Sequence, residues 1–354
     1  MKQLVEVPSS VADLFETSVE DVLETGLLNN WYLVCRDTEV GNKPVGLKRL
    51  NRNIVIWRDK AGALNAIEDF CPHRGARLSL GHVCNGEIAC EYHGVQLNGR
   101  GVVTATPPTP GSPMIGKKLV AAYPIQQRHG AVWVYFSDRN EQVDPPPLQF
   151  PEEFESGEWS GFVDIRTFAC NWQLVRDNQF DPIHGSYLHV GTHILSGGKK
   201  EAELGYQKTE RGFVVWRKNQ QGVNLDKTWL IRFEGSGFWA VTDLPYPRKE
   251  GGGLGRLFRF PTPIDRSNTL VWNYRMQKMS GWRRDIWRFL YRAHGSDRGA
   301  QVLDQDRVAL EAIPPDASQR ENLLQSDIGI AHIRRIYRAE AEKQLKARAP
   351  AAAE

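Results

Sequence analysis

Residues 71–76 read Cys-Pro-His-Arg-Gly-Ala, and residues 90–94 read Cys-Glu-Tyr-His-Gly. Around these two segments the chain alternates short β-rich runs with glycine and proline turns. The runs cover residues 53–57, 64–67, 88–90 and 130–136. Strands of this length, with turns every 8–12 residues, predict a small antiparallel β domain. The two cysteine- and histidine-bearing segments are then short loops of that domain.

Each loop supplies one cysteine and one histidine, with sixteen residues between His73 and Cys90. Two cysteines and two histidines can bind a tetrahedral zinc ion or a Rieske [2Fe–2S] cluster. Finger-type zinc sites pair cysteine with cysteine and histidine with histidine, whereas here each loop carries one of each, as two similar loops around a two-iron cluster would. The spacing therefore favours the cluster, with Cys71, His73, Cys90 and His93 as ligands.

A second group of candidate ligands lies in residues 178–189, which read Asn-Gln-Phe-Asp-Pro-Ile-His-Gly-Ser-Tyr-Leu-His. His184 and His189 are five residues apart, about 140° around an ideal helix. Both can bind one ion only if the helix is distorted or ends between them, which the nearby proline and glycine favour. Two histidines and one carboxylate typically bind Fe(II) that reacts with O2. Asp181 is the carboxylate nearest in sequence.

Both groups of residues resemble motifs of one protein family. Residues 71–76 and 90–94 resemble the two cluster loops of Rieske non-haem iron oxygenase α subunits, although Val95 stands where many members have tryptophan. The resemblance runs from about Trp31 to the C-terminal helix. The chain is most similar to the vanillate O-demethylase-like, homotrimeric α-only branch.

The resemblance also implies the ligands of the mononuclear iron. In the family, the pattern Asn-x-x-Asp-x-x-His-x4-His supplies two histidines, and an acid on a helix near the C-terminus supplies the third ligand. The corresponding residues here are His184, His189 and Asp306, with Asp304 as the rival acid. Gln305 replaces the glutamate that usually precedes the ligand.

In the family, the aspartate before the histidines connects two subunits. The resemblance thus implies that one Asp181 carboxylate oxygen accepts a hydrogen bond from His184 and the other from a cluster histidine, here His93, of the next subunit. Asn178 is expected beside the iron ligands. In the family, the two centres of one chain are too far apart for efficient electron transfer, so the resemblance implies that the active form is a ring of three subunits.

The fold implied is α+β. Residues 1–147 are expected to form an antiparallel β Rieske domain with an N-terminal extension. Residues 148–354 are expected to form a helix-grip-like catalytic domain, an antiparallel sheet with helices. Predicted strands there cover residues 212–217, 228–233, 238–242 and 269–276, and predicted helices cover residues 281–293, 298–312 and 326–347.

Composition limits the location and the partners. The net charge of +3 is too small to predict nucleic-acid binding, and the apolar run at residues 131–136 is too short to span a membrane. Five cysteines in 354 residues are too few for a disulfide scaffold. Without a recognisable signal peptide, the chain is expected to be cytoplasmic. Cys35, Cys84 and Cys170 are expected to be packing residues.

The expected function is that of a terminal oxygenase which uses O2 and electrons from NAD(P)H to hydroxylate, or to O- or N-demethylate, a small aromatic substrate. A reductase, with or without a ferredoxin, delivers the electrons. The alternatives are a ring dioxygenase that forms cis-dihydrodiols and, more distantly, a Rieske electron carrier. The substrate-binding residues are unknown; the pocket is expected between residues 191–232 and the strands that end near Met276.

Overall fold

A computed structural model describes residues 18–137, 144–192, 204–210, 212–217, 231–234, 239–245 and 254–348. The chain divides into two compact units. The first comprises Met1–Pro147 with Glu340–Glu354, and the second comprises Leu148–Ala339. Residues 340–354, which the sequence placed in the second domain, thus group with the first unit. The side-chain amide of Gln344 accounts for part of this grouping, because it donates to and accepts from the backbone of Leu28.

The described residues of the first unit form one N-terminal helix and ten strands in three antiparallel sheets, ordered β1-β10-β9, β2-β3-β4 and β5-β6-β7-β8. The elements are α1 (Val19–Thr25), β1 (Asn30–Arg36), β2 (Val45–Arg49), β3 (Arg52–Arg58), β4 (Leu64–Glu68), β5 (His82–Cys84), β6 (Glu87–Ala89), β7 (Gln96–Leu97), β8 (Val103–Ala105), β9 (Ile125–Arg128) and β10 (Ala131–Phe136).

The core of this unit explains the position of the cysteines. Strand β3 alternates between two clusters of buried side chains: Ile54 and Ile56 lie in one, and Val55 and Trp57 in the other. The second cluster also contains both loop cysteines and Val95. The cysteine-bearing loops are therefore anchored in the hydrophobic core.

The second unit is built on a seven-stranded antiparallel sheet, ordered β11-β17-β16-β15-β14-β13-β12. Its elements, including the last helix, which continues past residue 339, are α2 (Glu152–Glu155), β11 (Trp159–Phe168), α3 (Trp172–Phe180), α4 (Gly185–Leu188), β12 (Leu204–Lys208), β13 (Gly212–Arg217), β14 (Ile231–Glu234), β15 (Trp239–Pro245), β16 (Leu254–Asp265), β17 (Asn268–Lys278), α5 (Gly281–Leu290), α6 (Ser296–Glu311) and α7 (Ile328–Arg348).

Helices α3 and α6 pack on this sheet through apolar side chains. Val175 of α3 and Leu303 of α6 share a buried cluster with Phe168 of β11 and Val271 of β17. Helix α7 also packs on the sheet, since the ring of His332 stacks on Tyr206 of β12 with 3.7 Å between the ring centroids. These contacts fix α6, which carries Asp306, and α3, which precedes the segment with His184 and His189.

The α+β fold with antiparallel sheets is confirmed. Strands β11, β12 and β16 were not predicted; β16 contains Pro261 and Pro263, which are unusual within a strand. Residues 228–230 of one predicted strand lie outside the described residues. Cys35 and Cys170 are buried and Cys84 is partly buried. Among the described residues, no helix has the length and apolar character needed to cross a membrane.

Candidate metal centres

The two cluster loops have the same backbone hydrogen bonds. The Cys71 N–H donates to the Ala76 carbonyl at 2.8 Å, and the Cys90 N–H donates to the Val95 carbonyl at 2.9 Å. Four residues after each cysteine, a glycine N–H donates back to the cysteine carbonyl at 2.8 Å. Gly75 and Gly94 make these turns with φ of 78° and 69°, a conformation that glycine adopts without strain. The loops are thus two copies of one turn.

These turns place the four candidate cluster ligands together. Cys71 and Cys90 are each 2% exposed, whereas His73 is exposed and His93 is half-buried. The rings of the two histidines are 4.6 Å apart between centroids. Burial, and then hydrogen bonding with the Cys90 thiol, raises the pKa of the Cys71 thiol to about 11. Two adjacent buried thiols and two histidines nearer the surface fit a Rieske cluster, whose binding displaces the thiol protons.

The second candidate centre brings together His184, His189 and Asp306. One ligand atom from each of these residues lies within 4.8 Å of the others. The Oδ1 atom of Asp306 is 3.1 Å from Nε2 of His189 and 3.5 Å from Nε2 of His184. The side chain of Asp304, the rival acid, is 44% exposed, and its Oδ1 atom lies 3.4 Å from Nε of Arg307. Since residues two apart on a helix point in nearly opposite directions, α6 turns Asp306 inward and Asp304 outward.

A break in the helix brings the two histidines to one side. Helix α3 ends at Phe180, before Pro182, and His184 and His189 flank the single turn of α4. Their ring centroids are 5.3 Å apart. The break lies before both histidines rather than between them, and the Asp181 carboxylate holds the turn that precedes α4. Its Oδ1 atom accepts from the N–H groups of Ile183 at 2.8 Å and His184 at 3.2 Å.

The contact between Asp181 and the His184 ring differs from the expectation. The Nδ1 atom of His184 is 2.5 Å from the backbone carbonyl oxygen of Asp181 but 3.7 Å from its carboxylate. The ring therefore donates to the carbonyl, while Oδ1 of the carboxylate accepts from the turn. Asp181 faces Nδ1, the opposite side of the ring from Asp306, and is not placed to share an ion with Nε2.

His189 is oriented by Gln305, a contact that the sequence did not reveal. The Nδ1 atom of His189 is 3.0 Å from Oε1 of Gln305, and the Thr192 hydroxyl is 2.9 Å from the same oxygen. An acceptor at Nδ1 fixes the proton there and leaves the Nε2 lone pair for a metal ion. Gln305 thus provides the acceptor at the position where glutamate is usual.

Arg259 of β16 was also missed. This buried arginine donates from Nη2 to Oδ2 of Asp306 at 3.0 Å and from Nη1 to Oδ1 of Asn178 at 2.8 Å. Asn178 donates in turn to Oδ1 of Asp306 at 3.3 Å, so it lies beside the candidate ligands as expected. The only signal in the sequence is an arginine between Phe258 and Phe260, which does not identify a partner 47 residues away.

The electrostatics of the site favour a bound cation. Burial alone would raise the pKa of the Asp306 carboxyl, but hydrogen bonds from both histidines and the charge of Arg259 hold it well below its usual range. Burial would lower the pKa of His184, and Asp306 raises it above its ordinary value. Two imidazole nitrogens facing an ionised carboxylate are a donor set that fits Fe(II).

Comparisons with known proteins identify one domain of this chain and several relatives. Residues 30–124 match the family model described as the Rieske [2Fe-2S] domain. The chain is 33% identical, over 222 residues, to a vanillate O-demethylase oxygenase subunit of Pseudomonas sp. (strain HR199 / DSM 7063); the match covers 62% of this chain and 60% of the relative. For a second relative of the same name the match covers 58% of the relative, so the chain spans less than two thirds of these proteins.

Two solved structures show the fold across almost the whole chain. The terminal oxygenase of carbazole 1,9a-dioxygenase from Nocardioides aromaticivorans IC177 has a TM-score of 0.73 at 21% identity, covering 92% of this chain and 97% of that one. Dicamba monooxygenase bound to dicamba has a TM-score of 0.70 at 19% identity, covering 90% and 98%. The Rieske domain, the homology and the fold together confirm the resemblance of this chain to Rieske non-haem iron oxygenase α subunits.

Proposed function

We propose that this protein is the terminal oxygenase component of a multicomponent Rieske oxygenase. It hydroxylates, or removes O- or N-methyl groups from, a small aromatic substrate. The observation that carries the proposal is the group formed by His184, His189 and Asp306 in a chain that also contains a Rieske domain. A Rieske electron carrier would need no second group of metal ligands.

Each residue has a defined task in this proposal. Cys71, His73, Cys90 and His93 hold the [2Fe–2S] cluster, and His184, His189 and Asp306 hold the mononuclear Fe(II). When bound, the cluster supplies electrons singly and the ferrous ion supplies a site for O2. Gln305 and the Asp181 carbonyl keep each histidine protonated at Nδ1, so both rings present Nε2.

Electron delivery requires partners. We propose that electrons pass from NAD(P)H to a reductase, and from there to this protein directly or through a ferredoxin. Within a head-to-tail homotrimer, the Asp181 carboxylate accepts a hydrogen bond from His93 of the next subunit. The oxygen available for this is Oδ2, since Oδ1 accepts from two backbone N–H groups. We place the protein in the cytoplasm, where cysteine thiols stay reduced.

The two vanillate O-demethylase relatives favour demethylation over ring dihydroxylation. Hydroxylation of an O-methyl carbon gives a hemiacetal, which breaks down to a phenol and formaldehyde. The pocket is expected partly in residues 193–203 and 218–230, which lie outside the described residues. Vanillate-like methoxybenzoates are therefore the first substrates to test.

The proposal is tested by measuring iron per chain and NADH-dependent O2 uptake with a donor reductase. The substrates are methoxybenzoates, hydroxybenzoates, N-methyl compounds and heteroaromatics. Three irons per chain and substrate-stimulated O2 uptake with formaldehyde release are expected. Two irons per chain without uptake would make the protein an electron carrier, and a cis-dihydrodiol product would make it a ring dioxygenase.

A matched pair of variants separates the two centres. In His184→Ala, two irons and the visible spectrum of the cluster should remain, while substrate-stimulated O2 uptake disappears. His332→Ala removes another histidine of the second unit, which stacks on Tyr206, and should retain three irons. Three irons per chain in His184→Ala would contradict the assignment of this residue as a ligand.

A further inference from the structure

Arg259 is the candidate for a further role because it is buried and contacts a proposed iron ligand directly. Its side chain is 7% exposed, and that of Asp306 is 1% exposed. In the sheet, Arg259 of β16 lies opposite Asn273 of β17, and its Nε atom donates to Oδ1 of Asn273 at 3.4 Å. An arginine held in the sheet in this way can act as a rigid support.

The two oxygens of Asp306 have different environments. Oδ1 faces the Nε2 atoms of His184 and His189, whereas Oδ2 accepts from Nη2 of Arg259 at 3.0 Å. The neighbouring Nη1 atom binds Oδ1 of Asn178, whose amide donates to Oδ1 of Asp306. Arg259, Asn178 and Asp306 thus form a closed ring of hydrogen bonds that fixes the plane of the carboxylate.

We propose that Arg259 is a positioning residue that restricts Asp306 to a single ligand oxygen, Oδ1. The inference rests on the proposed iron site and specifies how its carboxylate binds. A carboxylate that binds through both oxygens occupies two positions around an ion, whereas one that binds through Oδ1 alone occupies one. Together with two histidines, this arrangement leaves one more position open for substrate or O2.

The shape of arginine is required for this role. The planar guanidinium places two N–H groups side by side, so it can bind Asp306 and Asn178 simultaneously. A lysine retains the charge but has one flexible ammonium group, which cannot reproduce this fork. Arg259→Lys therefore separates the effect of the geometry from that of the charge, and Arg259→Met removes both.

The test uses the full-length protein with its cluster intact and with Co(II) in the mononuclear site. The visible d–d bands of high-spin Co(II) weaken as the number of ligands rises. In Arg259→Lys and Arg259→Met, Oδ2 is released to become an additional ligand, so the bands should lose intensity relative to wild type. X-ray absorption at the cobalt edge should show one more light-atom ligand than in wild type.

Arg256→Gln is the matched control, because it removes another arginine of β16 that pairs with Glu153. It should leave the Co(II) bands unchanged. Far-UV circular dichroism and the cluster spectrum restrict the comparison to folded protein. Bands and ligand numbers in both Arg259 variants that equal those of wild type would overturn the inference. If instead the Co(II) bands were the same in wild type and in His184→Ala, the proposed iron site itself would be wrong.

Discussion

Each histidine of the candidate iron site has one ring nitrogen occupied by a hydrogen bond within the chain. For His189 the acceptor is the side chain of Gln305, at 3.0 Å from Nδ1. Removing this acceptor in Gln305→Leu allows the ring to rotate and to change its protonated nitrogen. We expect the affinity for Fe(II) to fall by about 10–100-fold, as is common when a partner of a ligating histidine is lost. Competition with a chromophoric chelator measures this affinity.

Two further variants test why Gln305→Leu should lose Fe(II) affinity. Gln305→Glu keeps an oxygen at the same place and should retain Fe(II) affinity. Gln301→Leu makes the same substitution at an exposed position of α6 and should behave as wild type. An affinity in Gln305→Leu equal to that of Gln301→Leu would show that this hydrogen bond does not orient His189.

At the residue scale, the sequence predicts those ligands that have a fixed spacing. The cysteines and histidines of the two loops, and the pair His184 and His189, are local patterns. Asp306 could be named only through resemblance, and burial separates it from Asp304. Arg259 and Gln305 could not be predicted in their roles, because hydrogen bonds between distant segments leave no mark on local spacing.

At the scale of elements, helix α3 is held against α7 by a charged pair. Arg334 of α7 donates to Oδ2 of Asp177 of α3, at 2.6 Å from Nη2 and 3.0 Å from Nε. Replacing Arg334 with leucine leaves a buried carboxylate without this partner. We expect the free energy of unfolding to fall by about 3 kcal/mol, measured by denaturant titration. Arg320→Leu, the control, removes an exposed ion pair with Asp316 and should cost at most about 1 kcal/mol.

The decrease in the free energy of unfolding caused by Arg334→Leu should depend on pH. Burial raises the pKa of Asp177 to about 6 even though Arg334 opposes the shift, so in the variant the pKa is higher still. Folding raises the pKa of this carboxyl above the value of about 4 that it has in the unfolded chain. The folded state is therefore stabilised as the pH falls through the folded pKa and the carboxyl becomes protonated. The destabilisation should therefore be smaller at pH 5 than at pH 8. An equal decrease in the free energy of unfolding at pH 5 and at pH 8 would mean that Asp177 does not become protonated in the folded variant.

The elements themselves were predicted unevenly. A break in the helix was expected from Pro182 and Gly185, but its position ahead of His184 depends on the turn that the Asp181 side chain holds. Strand β16 was missed although it carries Arg259. Its prolines at 261 and 263 and its charged residues hide the alternation on which a strand prediction depends. Pairing with β15 and β17 nevertheless holds this segment as a strand.

At the scale of the whole molecule, one chain provides two groups of metal ligands in separate units, and the proposal connects them through a second chain. Asp181 is the residue on which this connection depends. In Asp181→Asn, the amide oxygen can still accept from the N–H groups of Ile183 and His184, so the turn that carries the histidines should persist. The amide NH2 group that replaces Oδ2 cannot accept from His93 of the next subunit.

Asp181→Asn should therefore keep three irons per chain and the cluster spectrum, while product formation falls by about tenfold or more. The control is Asp304→Asn, which neutralises a half-buried acid of α6 beside Arg307 and should retain the wild-type rate. Single-turnover mixing of the reduced protein with O2 and substrate locates the defect, because the cluster should then remain reduced in Asp181→Asn and become oxidised in Asp304→Asn. Equal rates of cluster oxidation and product formation in the two variants would show that Asp181 does not connect the subunits.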